Sequence, residues 1–229
     1  METVTMRRVY VWQLPVRLYH WVNALAVVVL GVSGFLIGRP IAFANGAEAS
    51  FSYYFGWVRF IHFAAAFVFF FNFLARIYWG FVGNAYARWD TFIPLTGRLL
   101  KQQTAEVIEV LKVDVLQMKG SPIESVGHNA LAGWTYFVSF LAFVFQSVTG
   151  FGLYAAMSRA WLPQQFAWIV PMMGGDFAVR QWHHVMLWFF AIFTMVHVYL
   201  VFYHDYVEGR GVLSSMAGGW KFVEKRSHS

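Results

Sequence analysis

The sequence predicts an all-α membrane protein, a four-transmembrane-helix bundle with both termini on the cytoplasmic side. Three observations predict it. Hydrophobic residues make up 59% of the 229-residue chain and charged residues only 12%, too few charges for a soluble surface of that size. Four apolar stretches reach the roughly 20 residues needed to cross a hydrocarbon core. Lysine and arginine also fall unevenly between the loops on the two sides.

The first span is expected at 15–38, where Pro15 suits a first helical turn because its missing N–H has no partner there. The others are expected at 56–81, 129–157 and 179–206. Residues 39–55 and 158–178 are short connections rich in Gly, Pro and aromatics, whereas loop 82–127 is polar and carries most of the mid-chain charge. Within it, Val107, Leu111, Val115 and Met118 recur at helical spacing among charged residues. That pattern suits an interfacial amphipathic helix or a solvated connector. The first residues carry no cleavable signal pattern, so the first apolar run is read as a membrane span. Residues 1–229 are expected to form a single integral membrane domain.

The charges orient the bundle. Arg7, Arg8 and Arg17 lie in the N-terminal arm and its flank. Arg76, Arg88, Arg98, Lys101, Lys112 and Lys119 lie in or beside the long loop. Arg210, Lys221, Lys225 and Arg226 lie in the C-terminal tail. Only Arg39, Arg59, Arg159 and Arg180 fall on the opposite side. Thirteen cations against four place both termini and loop 82–127 in the cytoplasm. The net charge of +6 is accounted for by this asymmetry, so no nucleic-acid partner is needed. Cysteine is absent. This excludes disulfides, thiolate zinc sites, protein-held iron–sulfur clusters and thioether-linked haem.

Histidine spacing points to chemistry. His183 and His197 are fourteen residues apart in one apolar segment, an angular offset of about 40° and a rise of roughly 21 Å. Imidazole is costly in lipid and is there for function by default. The opposite running directions of the spans then form two pairs by depth: His62 with His183 near the outer side, and His20 with His197 near the cytoplasmic side. Each pair can supply both axial ligands of one haem iron. His184 competes with His183 but lies about 140° off the His197 face, towards headgroups, a neighbouring helix or another subunit. The fourteen-residue interval recurs. Gly34 follows His20 by that interval, giving room beside a porphyrin or a helix-packing contact with Gly31. Arg76 follows His62 by it, as a propionate partner or a positive-inside anchor. Arg17, one turn before His20, has the same two roles open.

Two motifs carry a family resemblance. Arg17-Leu-Tyr-His20-Trp21-Val22 with Leu30-Gly-Val-Ser33-Gly34 resembles the first-helix motif of the b-type cytochrome subunit of membrane-bound nickel–iron hydrogenases, with Ser33 where Thr is usual. Arg180-Gln-Trp182-His183-His184-Val185 with Trp188, Phe193 and His197 resembles its last-helix motif, with Gln181 where a small residue is usual. Arg59-Phe-Ile-His62-Phe, Arg76-Ile-Tyr-Trp79 with Gly83-Asn84, and Gly127-His128-Asn129 are similar to its middle segments. The likeness covers nearly the whole chain.

The resemblance implies a bacterial inner-membrane electron-transfer subunit binding two haems b. It would take electrons from the iron–sulfur small subunit of a periplasmic nickel–iron hydrogenase, whose large subunit splits hydrogen, and pass them to a quinone. The chain itself would have no hydrogen-splitting site. His128 and Asn129, at the cytoplasmic start of the third span, are candidates for the quinone pocket, because a quinone needs hydrogen-bond partners and a proton source. Helix capping and an interfacial position are their other roles. A cytochrome b subunit of a formate dehydrogenase or thiosulfate reductase would share the haem chemistry. A non-redox anchor or transporter with buried histidines would not.

Overall fold

Four long apolar helices carry the chain, and short elements join or follow them. The computed structural model describes residues 6–40, 53–89, 107–108, 130–209 and 211–224. Strand β1 (Met6–Tyr10) leads into helix α1 (Leu14–Gly38), followed by α2 (Tyr54–Val82) and α3 (Ala130–Ala155). Two single-turn helices, α4 (Trp161–Gln164) and α5 (Ile169–Met172), precede α6 (Asp176–Glu208), and α7 (Val212–Gly218) leads into strand β2 (Trp220–Glu224). Apart from Val107 and Ile108, the Val107–Met118 stretch lies outside the described residues, as do His128 and Asn129.

The long helices have 25, 29, 26 and 33 residues. At 1.5 Å per residue they run roughly 38–50 Å, against a hydrocarbon core of about 30 Å. Each is long and apolar enough to cross a membrane. Their outward faces are large and apolar, as at Leu25, Phe60, Ile192 and Met195. The largest shift from the expected ends is at α6, which starts at Asp176 instead of 179. Gly174 and Gly175, at φ 88° and 111°, break the preceding turn. Asp176 then sits at the positive end of the new helix and pairs with Arg180 one turn on, at 2.6 Å.

The chain divides into two compact units, and each long helix contributes to both. One unit comprises Trp21–Leu74 and Ala142–Val198. Its interior is aromatic: Phe67 meets Phe151 at 5.2 Å, Phe69 meets Phe143 at 5.1 Å, and Phe143 stacks on Phe190 at 5.4 Å. These contacts tie α2, α3 and α6 together in edge and stacked geometries that add to simple burial. Helix α1 closes on α6 through Gly31, where a Cβ would stand 3.5 Å from Leu187 Cδ1.

The other unit comprises Met1–His20, Ala75–Leu141 and Tyr199–Ser229. Its core is Val11, Trp12, Val16 and Ala87, packed by Trp79, Tyr86 and Met216. Several polar groups here pair across the unit. Trp12 Nε1 donates to the fully buried Ser215 hydroxyl at 3.1 Å. Gln13 Oε1 accepts from Trp79 Nε1 and from the Asn84 amide, while Asn84 Nδ2 donates to the Val11 carbonyl. Asp205 accepts from the Leu213 amide at 3.1 Å and so secures the first turn of α7.

The fold is mostly helical with four long apolar helices, and to these the structure adds one two-stranded sheet among the described residues. β1 and β2 pair antiparallel, from Met6 opposite Glu224 to Tyr10 opposite Trp220. Each strand has five residues and mixes charges with aromatic and β-branched side chains, too short a pattern to stand out beside the apolar spans. The pairing also joins segments some two hundred residues apart, which local periodicity does not register.

Candidate functional site

The Trp21–Leu74/Ala142–Val198 unit contains a partly open cavity of about 1220 Å³, lined by all four long helices. That exceeds the roughly 300–1,000 Å³ of ordinary small-ligand pockets. Its walls are mainly apolar and aromatic, with His62, His183 and His184 among the polar lining and Arg39, Arg59 and Arg180 as its cations. Arg59 Nη2 contacts Met157 Sδ at 2.7 Å.

His62 on α2 faces α1. Its Nδ1 lies 2.9 Å from Ser33 Oγ, and its ring lies against Gly34, where a Cβ would stand 3.2 Å from Cε1. His183 on α6 faces α3 in the same manner. Its Nδ1 lies 2.9 Å from Thr149 Oγ1, and a Cβ on Gly150 would stand 3.1 Å from its Cε1. A hydroxyl and a glycine on one helix thus hold each imidazole of the next. Gln146 adds a third contact to His183, its amide nitrogen lying 3.4 Å from Nε2 and 3.2 Å from the His183 carbonyl.

A haem bound through two imidazoles fits these residues. The cavity is large, flat aromatic side chains line it, and two histidines border it from different helices. Gln146 Oε1 and Ser147 Oγ, both from cavity-lining residues, are buried with no hydrogen-bond partner among the described residues. Among the described residues, no three His, Asp or Glu side chains converge to cage a bare ion.

The other expected site residues fall as follows. Gly34 borders the cavity and packs on His62 itself, while Gly31 makes the helix contact. His184 also lines the cavity, against α1, where a Cβ on Gly38 would stand 2.6 Å from its Cε1. Of the environments open to it, this is a neighbouring helix. His20 lies on α1 and His197 on α6, in different units, and neither lines this cavity. His197 stacks on Phe193 at 5.6 Å. The Arg17 guanidinium donates to the Ala217 carbonyl. Arg76 is only 3% exposed, donates to the Ala87 carbonyl at 2.9 Å, and stands 5.1 and 5.3 Å over the rings of Tyr136 and Trp89.

Thr149, Gly150, Gln146 and Gly38 escaped the sequence reading. A signal for two of them was present. Val32-Ser33-Gly34-Phe35 and Val148-Thr149-Gly150-Phe151 are the same four-residue pattern with Ser and Thr exchanged, and each copy meets one histidine.

Comparison with known proteins agrees with this architecture. Residues 11–219 match the family described as prokaryotic cytochrome b561. A protein of Azotobacter vinelandii named "Probable Ni/Fe-hydrogenase B-type cytochrome subunit" is 40% identical over 219 residues, covering 94% of this chain and 89% of that one. Its namesake in Cupriavidus necator is also 40% identical, over 95% of this chain and 88% of that one. In Escherichia coli K12, the "Probable Ni/Fe-hydrogenase 1 B-type cytochrome subunit" is 34% identical over 93% of this chain and 90% of its own length. Matched over nearly its full length by both the family model and these relatives, the chain belongs to the prokaryotic cytochrome b561 family, alongside the B-type cytochrome subunits of Ni/Fe-hydrogenases.

Proposed function

We propose that this chain is the di-haem b electron-transfer subunit of a membrane-bound nickel–iron hydrogenase, linking the enzyme to the quinone pool. The observation that carries this reading is the cavity bordered by His62 and His183, each seated on a hydroxyl–glycine pair. Haem b, when bound, supplies reversible one-electron chemistry at its iron. His62 and His183 would hold the iron through Nε2. Arg39, Arg59 and Arg180 are the lining cations available to propionate carboxylates. The largely apolar and aromatic lining would limit water around the iron.

The second haem is assigned to His20 and His197 by the depth argument, with Arg17, in the first turn of α1, and Arg76, towards the end of α2, as its propionate partners. His128 and Asn129 remain the proposed quinone ligands at the start of α3. The bacterial inner membrane, cytoplasmic termini, and a periplasmic iron–sulfur small subunit with its large subunit as electron donor complete the reading. The charge asymmetry and the names of the relatives support it.

The test is a dithionite-reduced-minus-oxidised spectrum with pyridine haemochrome quantification on the complex copurified through a tagged hydrogenase subunit. Two haems b per chain are expected, falling to one in His62→Ala. A copurified complex without a Soret band overturns the proposal.

A further inference from the structure

The two copies of Val-Ser/Thr-Gly-Phe share more than sequence. In both, the hydroxyl bonds back into its own helix. Ser33 Oγ reaches the Val29 carbonyl at 2.6 Å and the Leu30 carbonyl at 3.4 Å. Thr149 Oγ1 reaches the Phe145 carbonyl at 2.7 Å and the Gln146 carbonyl at 3.3 Å. In both, the same oxygen meets a histidine Nδ1 at 2.9 Å. Both residues are buried, Thr149 completely.

A count of protons fixes the direction of these contacts. A hydroxyl has one hydrogen, and a backbone carbonyl only accepts. The short bond to the residue four positions back therefore uses the hydroxyl hydrogen of Ser33 and of Thr149. The hydrogen in the contact to the ring must then come from Nδ1. A neutral imidazole has one N–H, so Nε2 keeps its lone pair. Gln146 gives the same answer for His183. Its amide nitrogen only donates, and it faces Nε2 at 3.4 Å, so Nε2 is the acceptor.

We propose that Ser33 and Thr149 are paired positioning residues for the metal centre: each hydroxyl takes the Nδ1–H of its histidine, fixes the tautomer that leaves Nε2 for iron, and lowers the haem reduction potential. This rests on the assignment of His62 and His183 as axial ligands. An acceptor on the far nitrogen orients a ligating imidazole and raises its basicity. A more basic ligand favours the oxidised iron. With one relay per axial ligand, the two residues act on the same haem from its two faces.

The test uses the intact copurified complex. Ser33→Ala and Thr149→Val remove one hydroxyl each at nearly constant shape. Ser33→Thr and Thr149→Ser keep it. Haem content is read by pyridine haemochrome, the midpoint potential by redox titration, and ligand-plane orientation by low-temperature electron paramagnetic resonance of the oxidised haem. The hydroxyl-free variants are expected to raise the midpoint potential of the haem lost in His62→Ala and to shift its g-values. The conservative variants should restore both, and the double variant should exceed either single one. Loss of haem in Ser33→Ala with retention in Ser33→Thr also supports the relay. Unchanged potential and g-values in haem-replete Ser33→Ala and Thr149→Val overturn it, leaving only intrahelical bonds. Equal haem loss in Ser33→Ala and Ser33→Thr overturns it in favour of shape alone. Wild-type haem content in both His62→Ala and His183→Ala defeats the ligand assignment, and the inference with it.

Discussion

His183 and His184 are adjacent, both line the cavity, and the molecule seats them differently. His183 has the hydroxyl and glycine that His62 also has; His184 rests on Gly38, with no hydroxyl bonded to its ring among the described residues. His183→Ala is therefore expected to lose one of two haems and His184→Ala neither, measured by pyridine haemochrome. Equal loss in both variants would remove the distinction. The glycines support a parallel prediction. Gly34→Leu and Gly150→Leu push a branched side chain where even a Cβ already stands 3.2 and 3.1 Å from a histidine ring. Haem occupancy should fall in both while the protein still reaches the membrane. Gly133→Leu, with nothing among the described residues within 4 Å of its Cβ position, should leave haem content unchanged. The histidines themselves were legible because imidazole stands out in an apolar segment. Thr149 was not, because a hydroxyl bonding back into its helix is ordinary in a membrane span and its role appears only when α6 supplies the ring. Gly34 was legible as a clearance residue, but its contact with the His62 ring was not.

At the scale of elements, hydrophobic runs located the four long helices to within three residues at every end, since a span is fixed by length and apolarity. What escaped was everything decided by pairing over distance: β1 with β2, and α7 beneath Trp12. Gly219 joins these pieces. It lies at φ 86° and ψ −4°, and its carbonyl accepts from both the Val11 and Trp12 amides. A Cβ there would stand 2.6 Å from the Trp12 carbonyl oxygen, which is backbone and has little freedom to move. Gly219→Ala should cost at least the roughly 1–2 kcal/mol of a left-handed non-glycine residue. At about 2–4 °C per kcal/mol for a chain of this size, the midpoint of thermal unfolding in detergent should fall by several degrees. An unchanged midpoint would show that the sheet adds nothing to the fold's stability.

For the whole molecule, the test is whether the sites pair as depth implies. His62→Ala and His183→Ala should remove the same low-spin spectral component, and His20→Ala and His197→Ala the other. Loss of one component by both His62→Ala and His20→Ala would contradict the proposed topology. The direction of flow has its own readout. With quinone reduced at the cytoplasmic face, hydrogen-driven turnover in proteoliposomes should build a membrane potential visible to a voltage-sensitive dye. His128→Ala should slow quinone reduction several-fold while leaving both haems and dye reduction by the hydrogenase intact. A fully active complex without a potential would move the quinone site to the outer face.

The pairing of β1 with β2 also sets an order in time. Synthesis releases β1 first and β2 last, so the strand opposite Met6–Tyr10 does not exist until all four long helices have been made. Until then Val11 and Trp12 lack the Gly219 carbonyl and the Ser215 hydroxyl that satisfy them. A chain stalled or cut before Val212 would leave its N-terminal arm loose, open to proteases and chaperones that engage unpaired strands. The two-stranded sheet is thus a late closure: it forms only once the chain has been made through β2, after all four long helices.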